Sequence, residues 1–262
     1  MASLDYSKFF PEIGQEVWHF PSLSRAMALL KEFIRLFPKT ANGRIIKADI
    51  LLESKGRFNR KWFAEKGGLW VALSIYDEFL PENSCLIPLI LGLALVRSAY
   101  HFGIKEAKIK WINDLHYKGK KIAGVLIEKF ESWYIIGIGI NVNNNPPEKI
   151  PAISFKKILK KEISLLTVLK VLIFWLRYYF GFLRFYERNI LDEKEVKNII
   201  IENYKKFSDT LKRCIAFSYN LDKAEEVLIG EVIDITNKGS LLINLENSEI
   251  VEVSSGEIIY LW

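Results

Sequence analysis

Apolar residues recur at helical spacing in some parts of the chain and at alternating spacing in others, and this mixture predicts an α+β fold. Residues 22–37 carry the pattern of an amphipathic helix, and we expect Ser22 or Ser24 to cap its first turn. The same patterns place strands at 44–53, 68–76, 107–114, 122–130 and 133–143, and further helices at 87–103, 167–190 and 193–204.

The pattern changes near residue 225, where short apolar runs alternate with Gly and Asn turns and no helical period remains. Closely spaced short strands of this kind are typical of a small all-β domain. We therefore predict two domains. Residues 1–222 form a mixed sheet flanked by helices, and residues 223–262 form a small SH3-like all-β barrel.

Composition narrows the class of protein. The 262 residues are half apolar, which is enough for a sizeable core, and the net charge of +6 suits a partner that carries phosphates or carboxylates. The two cysteines and three histidines do not cluster, so neither a disulfide framework nor a Cys/His metal site is predicted. The longest apolar run, 85–96, is short of the ~20 residues that a membrane span needs. With no signal peptide pattern, we expect a cytoplasmic protein that does not enter a membrane.

A basic loop stands out in "ESKGRFNRKWFAEKGGLW", residues 53–70. Lys55, Arg57, Arg60 and Lys61 surround Gly56, whose small size lets backbone N–H groups approach phosphate oxygens. The segment is either a solvated surface turn or a flexible cationic loop that closes over an anion.

A second motif, "KWINDLHYKGKK" at 110–121, is predicted to be a hairpin. Its turn brings Asn113 and Asp114 next to Lys121. A carboxylate, a carboxamide and a lysine at one end of a hairpin suit an anionic group or a metal–phosphate assembly. An ordinary lysine-rich hairpin tip is the alternative.

The third motif is the strand "IIGIGINVN", residues 135–143. Gly137 and Gly139 stand at alternate positions, so they remove side chains from one face of the strand. Either a ligand that lies flat on this face or a closely packed helix accounts for the pair.

Taken in order, the basic loop with "GGLW", the hairpin with "KKIAGVLIE", "GIGINVN" and a terminal "SGEI" closely resemble the biotin protein ligases. The resemblance runs from about residue 14 to 262. It implies an enzyme that joins biotin to ATP, forming biotinyl-5'-AMP and pyrophosphate, and then transfers biotin to a lysine of a biotin carboxyl carrier protein or domain. Mg²⁺ is expected with ATP, and a homodimer is expected. The resemblance leaves no room for the DNA-binding domain of larger members, so DNA binding is not expected.

The resemblance also implies roles for residues. Arg57 and Lys121 would be catalytic by offsetting charge at the α-phosphate, and Asp114 by orienting or deprotonating the acceptor amine or helping to position Mg²⁺. The residues expected to bind biotin or the adenylate are Ser22, Leu23, Ser24, Lys55, Gly56, Arg57, Arg60, Trp62, Asn113, Lys121, Gly124, Gly137, Gly139 and Asn141.

Some positions depart from the family pattern. In the loop, Ser54, Lys55 and Asn59 stand where the family usually has Gly, Arg and Gly, which predicts a stiffer loop with one bidentate donor fewer. The family's Ser-Thr-Asn biotin clamp reads Ser22-Leu23-Ser24, its glutamine falls at Leu51, and its proline falls at Ile112. These changes allow a diverged enzyme.

Two other functions are alternatives to the biotin ligase. A lipoyl or octanoyl ligase or transferase has a related fold, and a non-catalytic module that binds RNA or carrier domains would explain the charge and the departures. The hairpin followed by "GIGINVN", together with the small C-terminal domain, favours biotin.

Overall fold

A computed structural model describes residues 7–222 and 227–261. The first sheet contains β1 (Val17–Leu23), β2 (Ile45–Leu51), β3 (Leu69–Tyr76), β4 (Ala107–Lys110), β5 (Asp114–Tyr117), β6 (Lys120–Phe130) and β7 (Trp133–Ile140). The helices are α1 (Ala26–Leu36), α2 (Ile87–His101), α3 (Phe155–Leu159), α4 (Leu165–Leu191) and α5 (Ile199–Phe207).

The seven strands lie in the order β1-β2-β3-β7-β6-β5-β4. β1 and β2 are parallel, and every other neighbouring pair is antiparallel, so the sheet is mixed. The long pairing of β7 with both β3 and β6 places the two-glycine strand at the centre of the sheet. This arrangement confirms the predicted α+β fold with a mixed sheet.

One face of the sheet carries the main core. Helix α2 is apolar nearly all round and is buried along most of its length, because it packs against the sheet, α4 and α5 together. The opposite face is covered by α1, which contacts β2, β3 and β7. Its apolar side, including Met27, Leu30 and Phe33, forms a second core cluster with Ile135 of β7.

The C-terminal region forms a second sheet and contains no helix among its described residues, as predicted for an all-β domain. It contains β8 (Cys214–Ser218), β9 (Leu228–Ile235), β10 (Leu241–Leu245), β11 (Ile250–Val253) and β12 (Glu257–Tyr260), in the antiparallel order β11-β10-β9-β8-β12. Its strand β8 comes before residue 222, and the domain boundary at 222/223 stays a prediction, as does the SH3-like description.

A hydrogen-bonded network ties the segment after β4 to this C-terminal sheet. The indole nitrogen of Trp111 donates to the carbonyl oxygen of Gly239 at 2.9 Å, and its backbone N–H donates to Thr210 Oγ1 at 3.1 Å. Thr210 Oγ1 lies 2.9 Å from the hydroxyl of Tyr260 on β12. The C-terminal unit therefore fixes the turn that carries Asn113.

The structure corrects several local predictions. The helix predicted over 22–37 begins only at Ala26, since residues 22 and 23 end strand β1, which pairs with β2. Neither Ser22 nor Ser24 caps it: the N-cap is Arg25, and no side chain bonds there. The strand predicted over 107–114 stops at Lys110, and Asp114 begins β5. The strands β1 and β8 and the short helix α3 were not predicted.

Two helical stretches, 81–101 and 165–191, are long and apolar enough to cross a membrane by length and composition alone. The first is largely buried in the protein, whereas the second has less than half of its apolar window buried. Core helices of proteins without membrane spans pass the same test, so this finding is weak.

Gly43 lies between the N-terminal segment and the first sheet, and its surroundings leave no room for a side chain. Its φ is +73°, and an added Cβ would lie 2.1 Å from the carbonyl oxygen of Glu12. We expect Gly43→Ala to lower the free energy of unfolding by more than ~3 kcal/mol, because backbone strain and a backbone clash add. Gly103→Ala is the control: its φ is +90° but no atom lies within 4 Å, so strain alone costs about 1 kcal/mol. Equal losses in chemical denaturation would contradict the clash.

Candidate active site

A cavity of about 450 Å³ lies between the sheet, the basic loop and strand β12. Its wall at the centre of the sheet is apolar and includes Met27, Leu126 and Ile138. Towards β5 and β4 the wall carries charge from Asp114, Lys121 and other residues. A ligand with an apolar body and an anionic end fits this division.

Asn113, Asp114 and Lys121 lie next to one another, as the hairpin motif predicts. Lys121 Nζ donates to Asp114 Oδ2 at 2.6 Å, and both side chains are about one-third exposed. The same ammonium lies 5.2 Å from the centre of the Trp62 ring. Asn113 is buried beside them and lines the cavity. A fixed lysine at this point can follow negative charge through a reaction.

Gly124, Gly137 and Gly139 form a floor on which other side chains lie. An added Cβ would come within 2.8 Å of Lys121 Cε at Gly124, 2.6 Å of Met27 Sδ at Gly137, and 2.9 Å of Trp62 Nε1 at Gly139. A closely packed helix therefore accounts for Gly137, since Met27 belongs to α1. All three glycines line the cavity, and a ligand that lies flat on them stays a prediction. The Trp62 Nε1 atom is buried and has no hydrogen-bond partner among the described residues.

The basic loop is clasped to the C-terminal unit. Arg60 donates to both carboxylate oxygens of Glu257, with Nη2 2.8 Å from Oε2, and its Nε donates to Asp222 Oδ2 at 2.8 Å. Arg57 Nη1 donates to the carbonyl oxygen of Gly256 at 2.8 Å. Arg60 thus has its charge neutralised by two carboxylates, whereas the Arg57 guanidinium contacts neutral groups, the Gly256 carbonyl and the Phe58 ring. We call these contacts of Arg57 and Arg60 the clasp.

The loop also shows how one departure from the family pattern is accommodated. Asn59 occupies a position where the family usually has glycine, and its φ is +60°. Asn is among the few residues with a side chain that adopt this left-handed region readily. The loop therefore keeps a glycine-like turn, and backbone bonds such as Gly56 N to Arg60 O at 2.8 Å close it.

Burial and the clasp act in opposite directions on Glu257. Burial raises the pKa of this carboxyl, while hydrogen bonds from Arg60 and from the Leu221 N–H lower it. The balance holds the pKa of Glu257 below its ordinary value, so the clasp is charged at neutral pH.

Most of the predicted site residues meet in this one cavity. The structure brings together Lys55, Gly56, Arg57, Arg60, Trp62, Asn113, Asp114, Lys121, Gly124, Gly137 and Gly139. It does not bring Ser22, Leu23, Ser24 or Asn141 to the cavity wall.

The four excluded residues have other surroundings. Ser22 and Ser24 are exposed, and Leu23 packs against the α1 cluster. Asn141 is 4% exposed, and its Oδ1 accepts from Asn144 Nδ2 at 2.8 Å, which fixes the loop after β7. The roles of all the predicted residues stay predictions.

Other residues of the wall were not predicted. They include Arg25 and Met27 of the α1 region, Lys110 at the end of β4, and Glu257 of β12. The sequence held two signals for them, because the motif "KWINDLHYKGKK" begins with Lys110 and the motif "SGEI" contains Glu257.

No group of three or more His, Cys, Asp or Glu side chains suited to a metal ion occurs within residues 7–222 and 227–261. Asp114 is the carboxylate of the hairpin, and Lys121 already neutralises it. The chain therefore offers few oxygens of its own to a cation. A Mg²⁺ ion bound through substrate phosphates and one or two carboxylates is compatible with this site.

The mixed sheet, the glycine-floored cavity, the basic loop and the all-β C-terminal unit together define the class of biotin and lipoate ligases. Residues 20–145 match the Biotin/lipoate A/B protein ligase family, and residues 221–261 match the Biotin protein ligase C terminal domain. These matches span more than half of the chain, and the chain belongs to the biotin protein ligase family.

Individual proteins are similar to this chain over different lengths. The Bifunctional ligase/repressor BirA of Bacillus subtilis is 32% identical over 40% of this chain and 34% of its own length, so the chain spans about a third of that relative. The Biotin--[acetyl-CoA-carboxylase] ligase of Mycobacterium tuberculosis is 26% identical over 84% of this chain and 80% of its own. A biotin protein ligase structure from Aquifex aeolicus, in complex with biotin and ATP, has a TM-score of 0.77 at 24% identity, covering 94% of this chain and 98% of that one. It shows the same fold.

The clasp predicts how easily the basic loop opens. Glu257→Gln removes the charge that two Arg60 nitrogens bond, at a cost of about 1–3 kcal/mol. We therefore expect trypsin to cleave at Lys55–Lys61 about tenfold faster or more, because the open state of the loop is more populated. Asp77→Asn, which breaks the surface pair of Asp77 with Lys129, is the control. Mass spectrometry of the fragments gives the rates, and unchanged cleavage in Glu257→Gln would rule out the clasp as the restraint.

His116 on β5 is a half-buried histidine that lies across the strand pair from Lys121. Its Nε2 atom is buried without a hydrogen-bond partner among the described residues. Burial lowers the pKa of His116 from 6.5 to about 4, with Lys110 and Lys121 acting in the same direction and Asp114 and Asp209 acting against it. The imidazole is therefore uncharged at pH 7.

This histidine predicts a loss of stability in acid. Between pH 6.5 and pH 4 the unfolded chain binds a proton at His116 that the folded chain does not, so the free energy of unfolding falls as the pH falls. The full effect is about 3 kcal/mol. Urea unfolding between pH 7 and pH 4 should show a shallower decline for His116→Gln than for the wild type. His101→Gln, at an exposed position, should follow the wild type. Parallel curves for His116→Gln and wild type would contradict the prediction.

Proposed function

We propose that this protein is an ATP-dependent biotin ligase. It forms biotinyl-5'-AMP and pyrophosphate from biotin and ATP, and it transfers biotin to a lysine of a carboxylase carrier domain. The observation that carries the proposal is a single cavity in which an apolar, glycine-floored end continues into a charged end with Lys121, Asp114 and Arg57. The similar structure from Aquifex aeolicus contains biotin and ATP, and the mycobacterial relative is a biotin ligase for acetyl-CoA carboxylase, so both support this proposal.

The first step follows from the placement of charge. The apolar end holds the ring body of biotin, and the biotin carboxylate reaches Lys121. A carboxylate oxygen attacks the α-phosphorus of ATP, and pyrophosphate leaves with the electron pair of the broken P–O bond. Lys121 and Arg57 offset the negative charge that this step concentrates in the cavity.

The second step needs a neutral amine from the acceptor lysine, whose ordinary pKa is about 10.4. Asp114 lines the charged end of the cavity and accepts a hydrogen bond from Lys121. When the adenylate engages Lys121, Asp114 accepts a hydrogen bond from the incoming ammonium and takes one proton, which leaves a neutral amine. The amine attacks the acyl carbon, AMP leaves with the electron pair of the broken C–O bond, and the AMP phosphate takes the second proton that the nitrogen loses as the amide forms.

The remaining parts of the proposal concern partners. The acceptor is a biotin carboxyl carrier protein or domain, supported by the name of the mycobacterial relative. Mg²⁺ arrives with the ATP phosphates. β1, an edge strand of the first sheet, offers unpaired backbone groups, which supports a homodimer through this edge. We place the protein in the cytoplasm, without DNA as a partner.

A lipoyl or octanoyl ligase or transferase is the second candidate, since residues 20–145 match a family that includes lipoate enzymes. The match of residues 221–261 to a biotin-specific C-terminal domain favours biotin. Isothermal titration separates the two, because detectable lipoate binding without biotin binding would reverse the choice.

Lys121→Ala tests the proposal directly. We expect the rate of biotinyl-AMP formation to fall by about 10²-fold or more, because the cation that follows the developing charge is lost. Mass spectrometry after incubation with biotin and MgATP measures the adduct, and circular dichroism checks the fold. Lys120→Ala is the matched control, since Lys120 is the exposed neighbour in the same turn.

Two outcomes would contradict this account. Near-normal pyrophosphate release by Lys121→Ala would show that its role is misassigned. A folded wild-type sample that yields no biotinyl-AMP would favour a non-catalytic module that binds carrier domains or RNA.

A further inference from the structure

Lys110 is a half-buried lysine of the cavity wall for which the motifs supplied no role. It is the last residue of β4, and it lies directly across the β4–β5 pairing from Asp114. Its ammonium lies 5.2 Å from the centre of the Tyr260 ring on β12. Neighbouring residues across an antiparallel pair share one face of the sheet, so Lys110 and Asp114 project to the same side.

The carboxylates that face Lys110 already have other partners. Asp114 bonds Lys121, Asp209 accepts from the hydroxyl of Tyr260 at 2.6 Å, and Glu257 is held in the clasp. Lys110 itself forms no ion pair in the described part of the chain. This half-buried lysine thus lacks a direct counter-ion, an arrangement that a bound anion would complete.

Burial lowers the pKa of Lys110 from its ordinary value, and the nearby Lys121 contributes in the same direction. Asp114, Asp209 and Glu257 act to raise it. An anion placed between the two lysines would offset both unfavourable influences.

The order of the strands indicates which part of the ligand would place an anion near Lys110. From the centre of the sheet outwards the strands run β7, β6, β5 and β4. They carry in turn Gly137, Lys121, Asp114 and Lys110. Adjacent strands are about 4.8 Å apart, so the backbone of Lys110 lies about 14 Å from Gly137 and Gly139 on β7, beyond the strand that carries Lys121.

We propose that Lys110 binds the phosphates of ATP that leave as pyrophosphate. This inference rests on the proposed function. The attacking and leaving oxygens of a phosphoryl transfer lie roughly in line through phosphorus. The biotin carboxylate attacks from the β7–β6 side, so the bond between the α-phosphorus and the bridging oxygen breaks towards β5 and β4. The electron pair leaves on pyrophosphate, and Lys110 neutralises part of its charge without any proton transfer.

Lys110→Met tests the assignment, because methionine keeps the length of the side chain and removes the charge. We expect biotinyl-AMP formation to slow by about 10²-fold. The pyrophosphate concentration that half-saturates the reverse reaction, from purified biotinyl-AMP, should rise more than about tenfold. The Kd for biotin and the transfer of biotin from purified biotinyl-AMP to an acceptor lysine should stay within about twofold.

Two further variants complete the experiment. Lys108→Met is the matched control, since Lys108 lies two residues earlier on the same strand face, opposite His116 and outside the cavity wall. Lys110→Arg retains the charge and should recover much of the pyrophosphate dependence. Thermal unfolding with and without inorganic pyrophosphate measures binding directly, and the wild type should be stabilised where Lys110→Met is not.

The outcomes distinguish a failure of the Lys110 assignment from a failure of the proposed biotin ligase function. Unchanged pyrophosphate dependence in Lys110→Met overturns the assignment. Equal losses in biotin binding, pyrophosphate binding and transfer overturn it in favour of a packing role against Tyr260. If the wild type forms no biotinyl-AMP while pyrophosphate stabilises it and not Lys110→Met, the proposed function fails and the anion site stands.

Discussion

The hydrogen-bonded ion pair between Lys121 and Asp114 is the interaction on which the site depends. The two residues come from the neighbouring strands β5 and β6, and the register of this strand pair shifts between Leu115 and His116, close to both. A lysine that is partly withdrawn from water needs a partner, and Asp114 supplies it in the absence of substrate. The same pairing holds the ammonium at the charged end of the cavity. The structure without ligand thus already places the cation that the proposed reaction requires.

The C-terminal unit is part of the site. Its strand β12 supplies Glu257 to the clasp and Tyr260 to the network that reaches Trp111. One end of this unit therefore restrains the basic loop, and the other restrains the turn before Asp114. A change in how the two units pack would alter both at once, which gives the small all-β unit a direct influence on chemistry carried out on the larger sheet.

The sequence predicted the long, strongly periodic elements well, because α2, α4 and the central strands owe their pattern to burial. It failed at β1, an edge strand with Pro21 and mostly exposed or half-buried residues, which has no clear alternation. Because β1 was not predicted, Ser22 and Ser24, which lie at and just beyond the end of this strand, were expected to cap helix α1. In the site, motifs identified the groups on the hairpin and the glycine strand. Lys110 and Glu257 lie inside quoted motifs, but their places in the cavity depend on contacts between residues distant in the chain, such as Arg60 with Glu257 and Lys110 with Tyr260.

In the proposed reaction, the clasp that holds the basic loop over the cavity also affects how fast substrates enter and products leave. A mixed anhydride of a carboxylic acid and a phosphate is destroyed by water, so a cover held by several hydrogen bonds protects it while an acceptor is awaited. The same bonds must break each time a nucleotide enters or AMP departs, and such opening is frequently slower than chemistry. Stronger hydrogen bonds at Arg60 would therefore slow turnover and, in exchange, protect the reactive intermediate from water.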